Sequence, residues 1–236
     1  MGRILVSDLI KIRKKMIWFL VFFGPFGVIG LEALNFGIRY DYLTQFYKDD
    51  LWKGLLENVQ AMAMPALMLG LTIVASMIAN IEHQTNAWKQ LIALPISKKM
   101  IFTGKFSLAA LLLFASSTLL LLGTIILGIA LKFGTDFPII LLLKISYYPF
   151  LAIMPFIALQ IWLSIIMKNQ AISLTIGIVG TVLSLYSTVM PDWMPYKWPT
   201  LINDWGGPIY SVIAGLVTGL AVYLLGLMDF VRKDVK

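Results

Sequence analysis

Residues 59–81 read VQAMAMPALMLGLTIVASMIANI and carry no charged side chain. About twenty apolar residues in helical form cross the hydrocarbon of a bilayer. Only a helix or a closed barrel can do so, because lipid offers no partner for an open backbone. Val59–Ile81 therefore reads as a membrane-crossing helix, and three further stretches without charge repeat the pattern: Phe106–Leu131, Gln170–Met190 and Ile209–Met228. Two more carry a charge inside or beside them. Met16–Ile38 contains Glu32, and Ile145–Met167 follows Lys144 and an apolar IILLL run that blurs its start. The expectation is an all-α polytopic membrane protein of six transmembrane helices, forming one domain over residues 1–236.

Composition agrees. The 236 residues are 59% hydrophobic and 13% charged, whereas soluble domains are about one quarter charged. Cysteine is absent and His83 is the one histidine, which excludes disulfides, thiolate sites and a histidine metal cluster. No small-residue cleavage site follows the first apolar run, so the N-terminus does not read as a cleavable signal peptide.

Lysine and arginine accumulate on the cytoplasmic side of membrane proteins. Thirteen of them fall in the N-terminal segment, the 82–105 loop, Lys168 and the C-terminal tail, against six (Arg39, Lys48, Lys53, Lys132, Lys144 and Lys197) on the other side. Both termini and the 82–105 loop are expected in the cytoplasm. The net charge of +7 is thus a topology signal, and no nucleic-acid partner is expected.

At residues 1–15, Leu5, Leu9 and Ile12, with Met16 just beyond, recur at helical spacing with Arg3, Lys11, Lys14 and Lys15 elsewhere on the helix. This is the pattern of an amphipathic helix in the inner leaflet, either a plain anchor or an elbow that also touches a partner. Residues 191–208 (PDWMPYKWPTLINDWGGP) carry Trp193, Tyr196, Trp198 and Trp205, which suits a headgroup-level anchor or a gate facing substrate. Glu32 is the best intramembrane candidate for a substrate or ion contact, although it lies close enough to one end of its span to reach headgroups. Gly24, Gly27 and Gly30, and the Gly215–Gly219 pair, permit close helix approach within a subunit or between two. Pro25, Pro65, Pro149 and Pro155 are expected to kink their helices.

The chain carries no phosphate-binding G-x-x-x-x-G-K-[ST] loop, no H-E-x-x-H and no plausible catalytic triad. It is not expected to be an enzyme or to hold a cofactor of its own. The polar segment EHQTNAWKQLIALPISKKMIFTGK, residues 82–105, is the informative exception to the apolar pattern. Trp88, Leu91 and Ile92 share one helical face, Thr85 or Asn86 can cap its start, and Pro95 ends it. Ser97 can then cap a helix that continues into the third span. A short helix with an apolar face suits the groove of a soluble partner.

Glu82, Trp88, Leu91, Leu94, Pro95, Ile96, Ser97, Lys98 and Lys105 resemble, residue by residue, the corresponding loop of the permease subunits of ABC-2 type ABC transporters. The variant WKQLIALPIS is most similar to the small permeases of lantibiotic and bacitracin self-immunity. Arginine is commoner in the family where Lys98 stands. The resemblance implies ATPase coupling through Glu82, Trp88, Leu91, Ile92, Leu94, Pro95, Ser97 and Lys98, with ATP bound by a separate cytoplasmic ATPase subunit. It further implies a second permease, as homodimer or paralogous heterodimer, in the bacterial plasma membrane, and export of a membrane-active peptide taken from membrane lipid. An ABC-2 exporter of a drug, lipid or ion, and a membrane scaffold or sensor that does not transport, are the rival expectations.

Because the chain has no native cysteine, single cysteines report its topology cleanly. Those at Ser97 and Lys233 should react with an impermeant maleimide only from the cytoplasmic side, and those at Asp49 and Asp204 only from outside. Labelling of Ser97 from outside would reverse the assignment.

Overall fold

The computed structural model describes residues 2–13, 15–84, 88, 96–167 and 169–232. No strand occurs among them. The helices are α1 (Gly2–Ile12), α2 (Ile17–Ile38), α3 (Tyr40–Phe46), α4 (Leu51–Gln84), α5 (Lys98–Ala130), α6 (Ile139–Ala152), α7 (Met154–Ile166), α8 (Gln170–Leu185) and α9 (Pro208–Arg232). Short 3₁₀ turns occupy Ser187–Val189 and Pro195–Thr200.

Helices α2, α4, α5 and α9 are each long and apolar enough to cross a membrane, and α6 with α7, bent by 41° at the break between them, makes a fifth if the pair is one span. Val59–Ile81 is only the middle of α4. At about 1.5 Å per residue its 34 residues reach about 51 Å, well past a hydrocarbon layer of about 30 Å. The expected fifth span is shorter than any of the four long helices. Helix α8 stops at Leu185 after 16 residues, about 24 Å, and the chain turns through Ser187–Val189 instead of continuing to Met190. The apolar IILLL run ahead of Lys144 belongs to the fourth crossing, which starts at Ile139.

Helix α4 is the central post, packed on α2, α5, α7 and α8. Its inner face supplies Met68, Leu71, Val74 and Ile78 to a core completed by Ile101, Phe102 and Leu108 of α5, Ile157 and Ile161 of α7, and Phe230 of α9. A polar network links the short α8 to this body. The Gln160 amide donates to the Ser173 carbonyl at 2.8 Å, Ser164 and Ser173 share a hydroxyl contact of 2.7 Å, and Ser76 of α4 donates to Gln170 at 3.0 Å. Most buried polar groups in proteins are bonded in this way.

The break at Ile153 follows from Pro149 and Pro155. Neither has an amide hydrogen, and a proline ring crowds the carbonyl four residues earlier. The Gly215–Gly219 pair of α9 fits against this break. A Cβ on Gly215 would lie 2.6 Å from the Ala152 backbone, and one on Gly219 would lie 2.7 Å from Met154 Cβ. These glycines serve packing within the subunit. Gly27 and Gly30 of α2 would meet nothing.

Where α8 stops short, residues 186–207 fold over the bundle. The Tyr196 ring packs on Phe156 with centroids 4.8 Å apart, and Trp198 is buried while its indole donates to the Asp192 carbonyl at 2.8 Å. The Asp192 carboxylate pairs with Lys197 at 2.5 Å and accepts the Asp204 amide at 2.7 Å. The Lys197 hydrogen bond first, then the Asp204 amide, holds its pKa below the ordinary carboxylate range.

A carboxyl with a lowered folded pKa stabilises above its unfolded pKa, and that stability is lost as pH falls through the folded value. The loop should therefore hold at neutral pH and loosen only below about pH 4, as followed by tryptophan emission. Asp192→Asn should loosen it at neutral pH, giving faster tryptic cleavage after Lys197. Cleavage at the parental rate would show that the Asp192 contacts do not close this loop.

Candidate functional site

The end of the molecule that carries both chain termini holds a buried cluster of four charges. Glu82 closes α4 and is fully buried, Lys105 lies two turns into α5 at 2% exposure, and Asp8 and Lys11 come from α1. Lys105 Nζ donates to Glu82 Oε1 at 2.7 Å and to Asp8 Oδ1 at 3.0 Å. Lys11 Nζ, on the accessible edge, reaches Glu82 Oε1 at 3.1 Å and Asp8 Oδ1 at 3.7 Å. Two cations against two carboxylates leave no net charge. That balance is the condition for burying such groups at all.

The local sequence explains the convergence. Asp8 is three residues after Leu5 and four before Ile12, so it shares the apolar stripe of α1. Leu5, Leu9 and Ile12 pack into the core cluster, and Asp8 is drawn in with them. Helix α1 thus turns its stripe onto the protein and exposes Val6 and Ile10. Gly104 lets the two helices approach, since a Cβ there would sit 2.9 Å from Ile4 Cγ2. Asp8 was not among the sequence-based candidates. Its signal was its isolation, as the one acid ahead of Glu32 and on the apolar side of its helix.

Trp88 is 6% exposed and lies within the protein's own core. Its ring meets His83 and Phe230 edge-on, with centroids 5.5 and 6.1 Å away. His83 Nε2 lies 3.1 Å from the Ser164 carbonyl; a carbonyl can only accept, so this nitrogen carries the proton. The Trp88 indole N–H has no partner among the described residues. Ser97 caps α5 as its position suggested, accepting the Met100 amide at 3.3 Å. Lys98 Nζ reaches the Val231 carbonyl at 3.4 Å, tying the start of α5 to the end of α9. Leu91, Ile92, Leu94 and Pro95 lie outside the described residues.

The other candidates lie apart from this cluster. Glu32 is buried within α2 and accepts from the Asn35 amide at 3.2 Å. Trp193 projects from the 186–207 loop, 70% exposed, whereas Trp198 is part of that loop's interior. Among the described residues no group of histidine or acidic side chains is arranged to hold a metal ion.

Removing one partner from a buried ion cluster strands the others, at about 3–5 kcal/mol, while replacing the whole set by neutral groups is often tolerated. Lys105→Met should therefore lower the melting temperature in detergent sharply. The combination Asp8→Asn, Glu82→Gln and Lys105→Met should recover most of the loss. A Lys105→Met protein as stable as the parent would show that the cluster carries no such strain.

A family model described as ABC-2 family transporter protein matches residues 4–184. The match takes in α1, all four charged residues of the cluster and every helix up to α8. No curated protein and no solved structure matches the chain. The apolar helices and this match, over most of the 236 residues, lead to one assignment: the chain belongs to the ABC-2 family of transporter proteins and is a multi-pass membrane protein.

Proposed function

We propose that the chain is the permease subunit of an ATP-driven ABC-2 exporter, with both termini and residues 82–105 in the cytoplasm. A separate ATPase engages the 82–105 segment, a second permease completes the transporter, and the cargo is a membrane-active peptide of lantibiotic or bacitracin type removed from the bilayer. The observation that carries the coupling role is the bond between the two ends of that segment. Glu82 and Lys105 are joined at 2.7 Å, and Asp8 and Lys11 of α1 are bonded to the same pair. A force applied to the segment is delivered at one point to α1, α4 and α5. Lys98, bonded to Val231, extends the linkage to α9.

Trp88 acts in this scheme as a positioning residue. Its ring seats the segment on His83 and Phe230, and Leu91, Ile92 and Leu94 are left as the candidates for contact with the ATPase. The peptide cargo rests on the similarity of WKQLIALPIS to self-immunity permeases.

The test is co-expression with the cognate ATPase. Trp88→Ala should lower ATPase recovery per folded permease, because the segment loses its seat on His83 and Phe230. Trp88→Phe should restore recovery, because it keeps the ring contacts and removes a buried N–H without a partner. Undiminished recovery with Trp88→Ala would remove Trp88 from the coupling scheme. A host that gains ATPase-dependent tolerance to a lantibiotic would support the cargo assignment, and export of other amphiphiles alone would refute it.

A further inference from the structure

At the end opposite the termini, a cavity of about 650 Å³ opens between the start of α4, the first half of α6 and the 186–207 loop. It lies where α8 stops short, and this volume falls in the range of small-molecule sites. Its α4 wall is one helical face, Lys53, Glu57, Gln60 and Met64, spaced by four, three and four residues. From Lys53 to Met64 is about 16 Å along the helix axis. Over that length the lining passes from charged through amide to thioether. Helix α6 adds Lys144 close to Ile145. Leu185 and Ile202, both more than half exposed, stand on the lining and leave a lateral way in from lipid.

The charges are uncommitted. Neither Lys53 Nζ, nor Lys144 Nζ, nor the Glu57 carboxylate makes an ion pair or hydrogen bond among the described residues, and all three residues are exposed. Two lysines against one carboxylate give the cavity a net positive charge. Ionisable groups at the edge of a bilayer that find no partner in the protein are poised for one outside it. The most abundant anion at that depth is a phosphodiester, and lysine binds phosphate as a point charge. The apolar inner lining suits the upper acyl chain of the same molecule. We infer that this cavity is a binding site for an anionic phospholipid of the leaflet at that end, its phosphate held by Lys53 and Lys144 and its acyl chain lying along Met64 and Ile145.

The inference does not depend on the transport reading or its cargo. Native mass spectrometry of the delipidated full chain in detergent, titrated with phosphatidylglycerol and, separately, with phosphatidylcholine, tests it. One phosphatidylglycerol should bind clearly more tightly than the phosphatidylcholine, and added salt should narrow the difference. Lys53→Gln and Lys144→Gln should each weaken phosphatidylglycerol about fivefold without altering the melting temperature, since neither side chain has a partner to lose. Glu57→Gln should tighten it. Equal affinity for the two lipids, or parental phosphatidylglycerol binding by the Lys53→Gln/Lys144→Gln protein, would overturn the site. Weaker binding in Glu57→Gln would instead identify a zwitterionic headgroup whose ammonium meets Glu57, and would refute the anionic assignment.

Discussion

A lysine ammonium cannot leave water alone, and the arrangement of this protein at one end follows from that fact. Lys105 is buried two turns into a membrane-spanning helix, so carboxylates must come to it. They arrive from two directions, Glu82 from the end of α4 and Asp8 from a helix that precedes the first crossing. The cluster gives little net stability relative to an apolar core of the same volume. Its effect is on register. Helix α1 can dock only where Asp8 meets Lys105, and α4 must end level with the second turn of α5. Helices that slide on one another easily in lipid, where apolar faces do not discriminate, acquire one alignment.

The same logic separates what could be read from the sequence from what could not. Span interiors were legible because they exclude charge, and hydropathy reports charge exclusion directly. Span ends were not. Helix α4 runs on through Lys53 and Glu57, past the hydrocarbon, where charge is no obstacle to a helix, so its start lies eight residues before the apolar core. Helix α8 ends at Leu185 while the sequence is still apolar: the chain turns at Ser187–Val189, and Leu185, Tyr186 and Val189 are exposed. Hydropathy reports apolar character and not the turn that ends a helix. Glu82 and Lys105 were visible as charges flanking a polar loop, but Asp8 reads as one polar residue on an amphipathic helix until its partners are known. Trp88 was legible as an apolar anchor, though not as one turned toward His83 and Phe230.

The two ends of the molecule use charge in opposite ways. At the end with the termini, four charged groups neutralise one another and lock three helices together. At the other, the charged side-chain ends of Lys53, Glu57 and Lys144 line a cavity and make no hydrogen bond or ion pair among the described residues. The first arrangement spends its charges on its own partners. The second remains responsive to whatever enters from the bilayer. The break at Ile153, with α9 seated on it through Gly215 and Gly219, lies between them and divides one crossing into two rigid halves.

The shortness of α8 has a consequence for the lipid around it. A helix of about 24 Å set in a hydrocarbon layer of about 30 Å is a hydrophobic mismatch, and a bilayer answers mismatch by thinning, at a fraction of a kcal/mol for each ångström. Its neighbour α4 carries an uncharged stretch over residues 59–81, about 34 Å long, so two packed helices match different hydrocarbon thicknesses. A bilayer in contact with the exposed face of α8 is drawn thinner there than beside α4.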